Sequence, residues 1–168
     1  NETALLKLKH TYDEMVDLEP FIDFKTTYVG MGLDRKVGCI GLENAVIVDA
    51  GSAITVDIMQ NSKHQGGFIL PGLKKTVDIY PEISQKLECD FNVKVNLDTI
   101  PLNTQDAISY AILKSIITPI AEIAQDKPII FTGGDGELLS GLVEGSIYKK
   151  NLLFEHMKGI IDANNCIT

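Results

Sequence analysis

Ala45-Val-Ile-Val-Asp-Ala-Gly-Ser-Ala-Ile-Thr-Val-Asp-Ile58 decides how this chain folds. A short apolar run, Ala45 to Val48, feeds Asp49 and then a tight turn at Gly51-Ser52. An alternating segment, Ile54-Thr-Val-Asp-Ile58, leaves that turn. Period-two alternation after a buried run predicts an antiparallel hairpin with the acid and the hydroxyls at its tip. A carboxylate beside backbone N–H groups and a small hydroxyl is suited to a cation or a phosphate oxygen. The same residues also suit a plain turn, capped by Asp49 and Ser52 through local hydrogen bonds.

Outward from the hairpin, strands are predicted over residues 45–48, 53–60 and 66–70, a three-stranded meander with its second turn over 61–65. Pro71-Gly72 ends the third strand, and a helix follows over 73–87. Upstream, residues 3–18 read as a helix stopped at Pro20, residues 21–27 as a short extended segment, and residues 34–40 as a helix opened by Asp34. Downstream, residues 89–100 read as irregular with some strand character. Residues 106–125 form the strongest helix, capped by Asn103 or Thr104 and kinked at Pro119. Apolar residues surround that helix, which predicts burial against several neighbours or in a subunit interface. A buried strand over 128–131, a helix over 137–142, and a strand and helix over 151–161 complete the chain.

The bulk numbers exclude some classes. The 168 residues suffice for one ordinary domain or one and a part, and the net charge of -8 without a basic cluster argues against a nucleic-acid surface. Cys39, Cys89 and Cys166 form neither a metal-type pair nor a disulfide framework, which favours a reducing compartment such as the cytoplasm. No apolar run is expected to reach the ~18 residues of a membrane span. His10, His64 and His156 lack partners at metal spacing and read as structural or surface residues.

Four further segments accompany the hairpin: Tyr28-Val-Gly-Met-Gly-Leu-Asp-Arg35, Gly66-Gly-Phe-Ile-Leu-Pro-Gly72, Asn103-Thr-Gln-Asp-Ala107 and Phe131-Thr-Gly-Gly-Asp-Gly136. With Asp49-Ala-Gly-Ser-Ala53, and in this order, they resemble the type III pantothenate kinases. The resemblance covers residues 28–139. It implies an α/β chain built on the ribonuclease-H-like lobe of the actin-like ATPases, an antiparallel meander plus helices, with the second lobe only partly present. Residues 1–43 would be the remnant of the N-terminal lobe and residues 44–168 the C-terminal lobe. The implied reaction is ATP-dependent phosphorylation of pantothenate, the first step of coenzyme A synthesis, in a homodimer.

The resemblance also implies roles. Asp34 would accept the proton of pantothenate's primary hydroxyl, a task its carboxylate suits. Tyr28, Gly32, Leu33, Asp34 and Arg35 would contact pantothenate, with Arg35 gripping its carboxylate or amide oxygens through its planar fork. Thr104 would reach pantothenate from the partner subunit. Asp49 would hold a monovalent cation, potassium or ammonium. Gly51 and Ser52 would meet an ATP phosphate, Gly133 and Gly134 would face the nucleotide, and Mg2+ would accompany it. Ser52 stands where a Thr is commoner and keeps the hydroxyl. Thr55 and Asp57 read as ordinary strand residues, Asp57 with an outside role at a metal-bound water. Tyr28 stands closer to Gly32 than it does in many members.

The family's first phosphate-binding element, Asp-x-Gly-Asn-Thr, is not among these residues. A piece of a complete kinase and a homologue that binds pantothenate or nucleotide without transfer both fit that departure. A different small-molecule kinase of the same superfamily is the third possibility, against which the pairing of Gly-Leu-Asp-Arg with Asp-Ala-Gly-Ser stands.

Overall fold

The computed structural model describes residues 17–164. The helix predicted over 3–18 falls outside the described residues, as do His10 and Cys166. The predicted hairpin is present as β1 (Ala45–Ala50) and β2 (Ala53–Gln60), and β3 (Lys63–Pro71) completes the meander. The ladders are antiparallel, with Asp49 opposite Thr55 and Asp57 opposite Gly67. β4 (Ile129–Thr132) runs parallel to β1 on its other side, and β5 (Ile147–Tyr148) lies beyond it. The sheet order β3-β2-β1-β4-β5 is that of a ribonuclease-H-like lobe.

Alternation along the strands sorts the helices onto two faces. Val46, Val48, Ala50, Ile54, Val56 and Phe131 point to a core shared with α2 (Leu73–Ile83), α3 (Thr104–Ala124) and α4 (Gly136–Ser140). Ala45, Ile47, Met59 and Ile130 point the other way, against Cys39 of α1 (Leu33–Cys39) and Leu152 of α5 (Leu152–Asn164). His156 on α5 donates its Nδ1–H to the Val37 carbonyl at 2.8 Å, tying α5 to α1. With odd-numbered β1 residues on the α1 side, Asp49 shares that side with α1.

Several boundaries differ from expectation, each for a physical reason. The second turn is two residues, not five: Asn61 and Ser62 both have positive φ (51° and 59°), the geometry of a tight hairpin turn. Lys63, His64 and Gln65 belong to β3, an edge strand, where exposed polar residues such as Lys63 and Gln65 are ordinary, while His64 points inward. The helix expected over 73–87 stops at Ile83, and a 3-10 turn, Gln85–Leu87, follows Ser84 in extended conformation. Residues 21–27 and 89–100 join no ladder; a 3-10 turn, Glu19–Phe21, precedes the first of them.

α3 is capped by Asn103, whose side-chain oxygen accepts from the Asp106 N–H at 2.9 Å. Hydrogen bonds from Asn92 and Asn103 hold the Asp106 carboxyl below its ordinary range. By length and composition this helix is apolar enough to cross a membrane, contrary to expectation. Its stripe of Ile108, Ile112, Leu113, Ile116, Ile117, Ile120 and Ala124 is packed on the sheet, as in the core helix of a globular fold. Ala107, Ala111, Ala121 and Ile123 are exposed, so the helix is buried on one side within this chain rather than all round.

Candidate active site

Asp34 and Asp49 line one open cleft of about 400 Å³ together with Gly51, Ser52, Ala53 and Thr55. Local structure explains how each arrives. β1 delivers Asp49 to the strand's last turn, and the Gly51-Ser52 tip folds Thr55 back beside it. Gly72 donates its N–H to the Ser52 carbonyl at 3.1 Å, so α2 starts against the same tip. A Cβ on Gly72 would collide with the Gly51 and Ser52 carbonyl oxygens, which is why the Pro-Gly junction packs so tightly there.

Asp34 sits in the first turn of α1, where the helix dipole favours a negative charge. Its Oδ1 accepts from the Arg35 N–H at 2.8 Å, and a Cβ at Gly32 would stand 2.5 Å from that oxygen. Glycine at 32 therefore makes room for the carboxylate. Asp34 is exposed and Asp49 half-buried. Burial, and secondarily the charge of Asp34, raise the Asp49 carboxyl above its ordinary range. Among the described residues no cation pairs with Asp49.

Gly133 lies against Asp49, although neither it nor Gly134 is among the residues lining the cleft. It leaves β4 with φ +86°, and a Cβ there would stand 2.5 Å from both Asp49 Oδ1 and the Ala50 carbonyl oxygen. The Asp135 N–H, donating to that same carbonyl at 2.9 Å, holds the Gly-Gly turn down. Gly134 faces open space. Thr104, the first residue of α3, is exposed and is not among the residues lining this cleft; α3 packs on the sheet face opposite α1.

Arg35 differs most from expectation. It is buried, and its Nε and Nη2 donate to Asp57 Oδ2 and Oδ1 at 2.9 and 2.7 Å. That pairing, against the opposing effect of burial, raises the guanidinium's affinity for its proton. His64 completes the cluster: Nε2–H donates to Asp57 Oδ1 at 2.8 Å, and Nδ1 lies 2.7 Å from Thr26 Oγ1. Tyr28 stacks on Arg35, its ring centroid 4.6 Å from the guanidinium carbon. With both oxygens engaged and 2 % exposure, Asp57 is neither an ordinary strand residue nor free for a metal-bound water. His64 is structural rather than a surface residue, buried and bonded through both ring nitrogens. The signal for both was a charged residue at an inward-facing strand position, which a fold tolerates only with a partner.

A larger hollow of about 850 Å³ lies toward the far end of β2, lined by residues 23–27 and 39–43, Met59 and His64. It contains neither Asp34 nor Asp49, so the acidic chemistry lies elsewhere. Among the described residues no group of three or more His, Cys, Asp or Glu side chains forms a metal site.

An acid in the first turn of a helix shares a cleft with a second, half-buried acid beside a Gly-Ser tip on a ribonuclease-H-like sheet, an arrangement suited to phosphoryl transfer. The family model for type III pantothenate kinase matches residues 15–126, and the chain belongs to that family. A type III pantothenate kinase of Campylobacter jejuni strain RM1221 is 48% identical over 151 residues, 90% of this chain and 72% of that protein. One from Wolinella succinogenes is 41% identical over 157 residues, covering 94% of this chain and 75% of its own length. A crystal structure from Campylobacter jejuni, of a conserved protein assigned to the Baf family of transcriptional activators, superposes with a TM-score of 0.90 at 45% identity. That match covers 99% of this chain and 81% of the other.

Proposed function

We propose that the cleft between Asp34 and Asp49 is where this kinase moves the γ-phosphoryl group of ATP to pantothenate. The activity itself follows from the family: the chain is a pantothenate kinase, using ATP and pantothenate in coenzyme A synthesis. The convergence of the two carboxylates supports the finer assignments.

Phosphoryl transfer asks for an aligned hydroxyl, an acceptor for its proton and charge compensation at the phosphate. Asp34, exposed at the mouth of the cleft, accepts the proton of pantothenate's primary hydroxyl as its oxygen attacks phosphorus. Tyr28, Gly32, Leu33 and the open edge of Arg35 bind the rest of pantothenate. Gly51, Ser52, Gly133 and Gly134 lie against the ATP phosphates. Charge compensation at the phosphates would come from Mg2+ bound with the nucleotide.

Asp49 holds a monovalent cation, potassium or ammonium. Its fit rests on a half-buried carboxylate with which no cation among the described residues pairs, so that a bound ion would offset the cost of burying its charge, with the Ser52 and Thr55 hydroxyls in the same cleft. A homodimer brings Thr104 of one protomer to the other's pantothenate. We place the reaction in the cytoplasm, where the free thiols Cys39 and Cys89 would persist.

The test is direct. Purified protein with ATP, Mg2+, potassium and pantothenate should yield 4'-phosphopantothenate and ADP in equal amounts. Replacing potassium with sodium should slow the reaction. An enzyme indifferent to potassium, ammonium and the Asp49→Ala change would overturn the cation assignment. A Baf-type role in transcription draws no support from a net charge of -8, because direct DNA contact requires a basic surface.

A further inference from the structure

The chemistry above leaves unused a buried polar network running from Thr26 through His64 and Asp57 to Arg35. We infer that this network is a positioning device, in which His64 and Asp57 hold Arg35 so that only its outer edge meets pantothenate. This rests on the assignment of Arg35 to the substrate.

Three observations carry it. First, Asp57 takes the inner edge of the guanidinium, Nε and Nη2. Nη1 is the guanidinium nitrogen that Asp57 does not take, and the Tyr28 ring lies over the group, 4.6 Å from centroid to Cζ. Arg35 thus offers the substrate an edge rather than its whole fork.

Second, Asp57 is itself fixed from several sides. His64 Nε2 grips Oδ1, and Gly67 opposite leaves space, since a Cβ there would stand 3.0 Å from that oxygen. His64 is held by Thr26 Oγ1 and lies tilted against the Phe24 ring at 5.7 Å and edge-on to the Tyr28 ring at 6.0 Å. Third, the network fastens both ends of the 28–35 loop to the sheet. Thr26 Oγ1 accepts the Tyr28 N–H at 3.0 Å at one end, and Arg35 is paired at the other. Gly30, at φ +77°, turns the chain between these anchors.

A buried ion pair contributes little net stability over apolar residues of equal volume, because desolvating both charges offsets their attraction. What such a pair supplies here is a single orientation of the guanidinium. Adjacent to Asp34 in sequence, Arg35 then sets where pantothenate's acid end lies relative to the base.

Steady-state kinetics with each substrate varied in turn tests this. Asp57→Asn and His64→Leu should each raise the pantothenate KM about tenfold, the worth of one charge-assisted hydrogen bond, with kcat and the ATP KM within about twofold. His64→Gln, which keeps an N–H near the Nε2 position, should recover most of that loss. If Asp57→Asn does not fold, the contrast between the two His64 variants decides alone. Folded variants with an unchanged pantothenate KM, or with kcat and both KM values disturbed together, overturn the positioning role. Arg35→Lys separates the two levels. If it leaves the pantothenate KM unchanged, the substrate assignment of Arg35 falls, and the inference with it. If it raises that KM while the Asp57 and His64 variants do not, the assignment stands and only the positioning role is lost.

Discussion

Gly133 and Asp49 abut so closely that one methyl group would separate them: a Cβ on Gly133 would lie 2.5 Å from the Asp49 carboxylate oxygen. The glycine is needed twice over, since its φ of +86° is also a conformation that side chains disfavour. Gly133→Ala should destabilise the protein by more than about 1 kcal/mol, because the new methyl meets backbone that cannot retreat. It should also raise the ATP and potassium requirements while leaving the pantothenate KM near its original value. Thermal melts and saturation kinetics would check both effects, and a silent Gly133→Ala would remove this turn from the nucleotide site.

Asp34 is exposed and pairs with no cation among the described residues, so its removal should spare the fold. Asp34→Asn keeps the shape and loses the proton acceptor. We expect kcat to fall by about 10²–10⁴ with an unchanged melting temperature. Wild-type turnover in this variant would disqualify Asp34 as the base.

Asp49 should leave a signature in the pH dependence of stability. Its folded-state pKa lies above the unfolded value, so the native state holds the proton more tightly. The contribution is fully present below the ordinary carboxylate range and is lost as pH rises through the folded pKa toward neutrality. Wild-type protein without potassium should therefore lose stability relative to Asp49→Asn over that interval. At neutral pH, potassium should raise the melting temperature of the wild type and not that of the variant, compared with a bulky organic cation at equal ionic strength. Parallel pH curves for the two proteins would refute the assignment.

Thr104 can be tested by complementation. In the proposed homodimer, Asp34→Asn and Thr104→Ala should each impair activity, the second mainly in pantothenate KM. Mixed dimers would combine both lesions in one site and leave the other intact. In a fully exchanged equal mixture, about a quarter of all sites regain both residues. Activity that never exceeds the average of the separate variants would exclude a site shared between protomers.

The hairpin was the most legible part of the chain. Residues 53–60 were delimited by alternation alone, and the turn at Gly51-Ser52 by its small residues. The placement of β4 beside β1 was not legible, since nothing local records a parallel pairing across the intervening helices. Lys63 to Gln65 were read as loop because polarity marks turns and edge strands alike. The Arg35–Asp57–His64 cluster escaped because its members lie on three elements, and no periodicity connects them. The motif residues around Asp34 and Asp49 could be named from the chain, but only the fold shows that α1 and the hairpin tip meet at one cleft.

The burial of Arg35 next to an exposed Asp34 has a mechanical consequence. Consecutive residues on a helix project about 100° apart, so a single turn of α1 can face the sheet with one and the solvent with the other. The turn that carries Asp34 is thereby tied to β2 through its immediate neighbour. In the proposed reaction the alcohol and the triphosphate would therefore have to come to an acid whose backbone is anchored to the sheet.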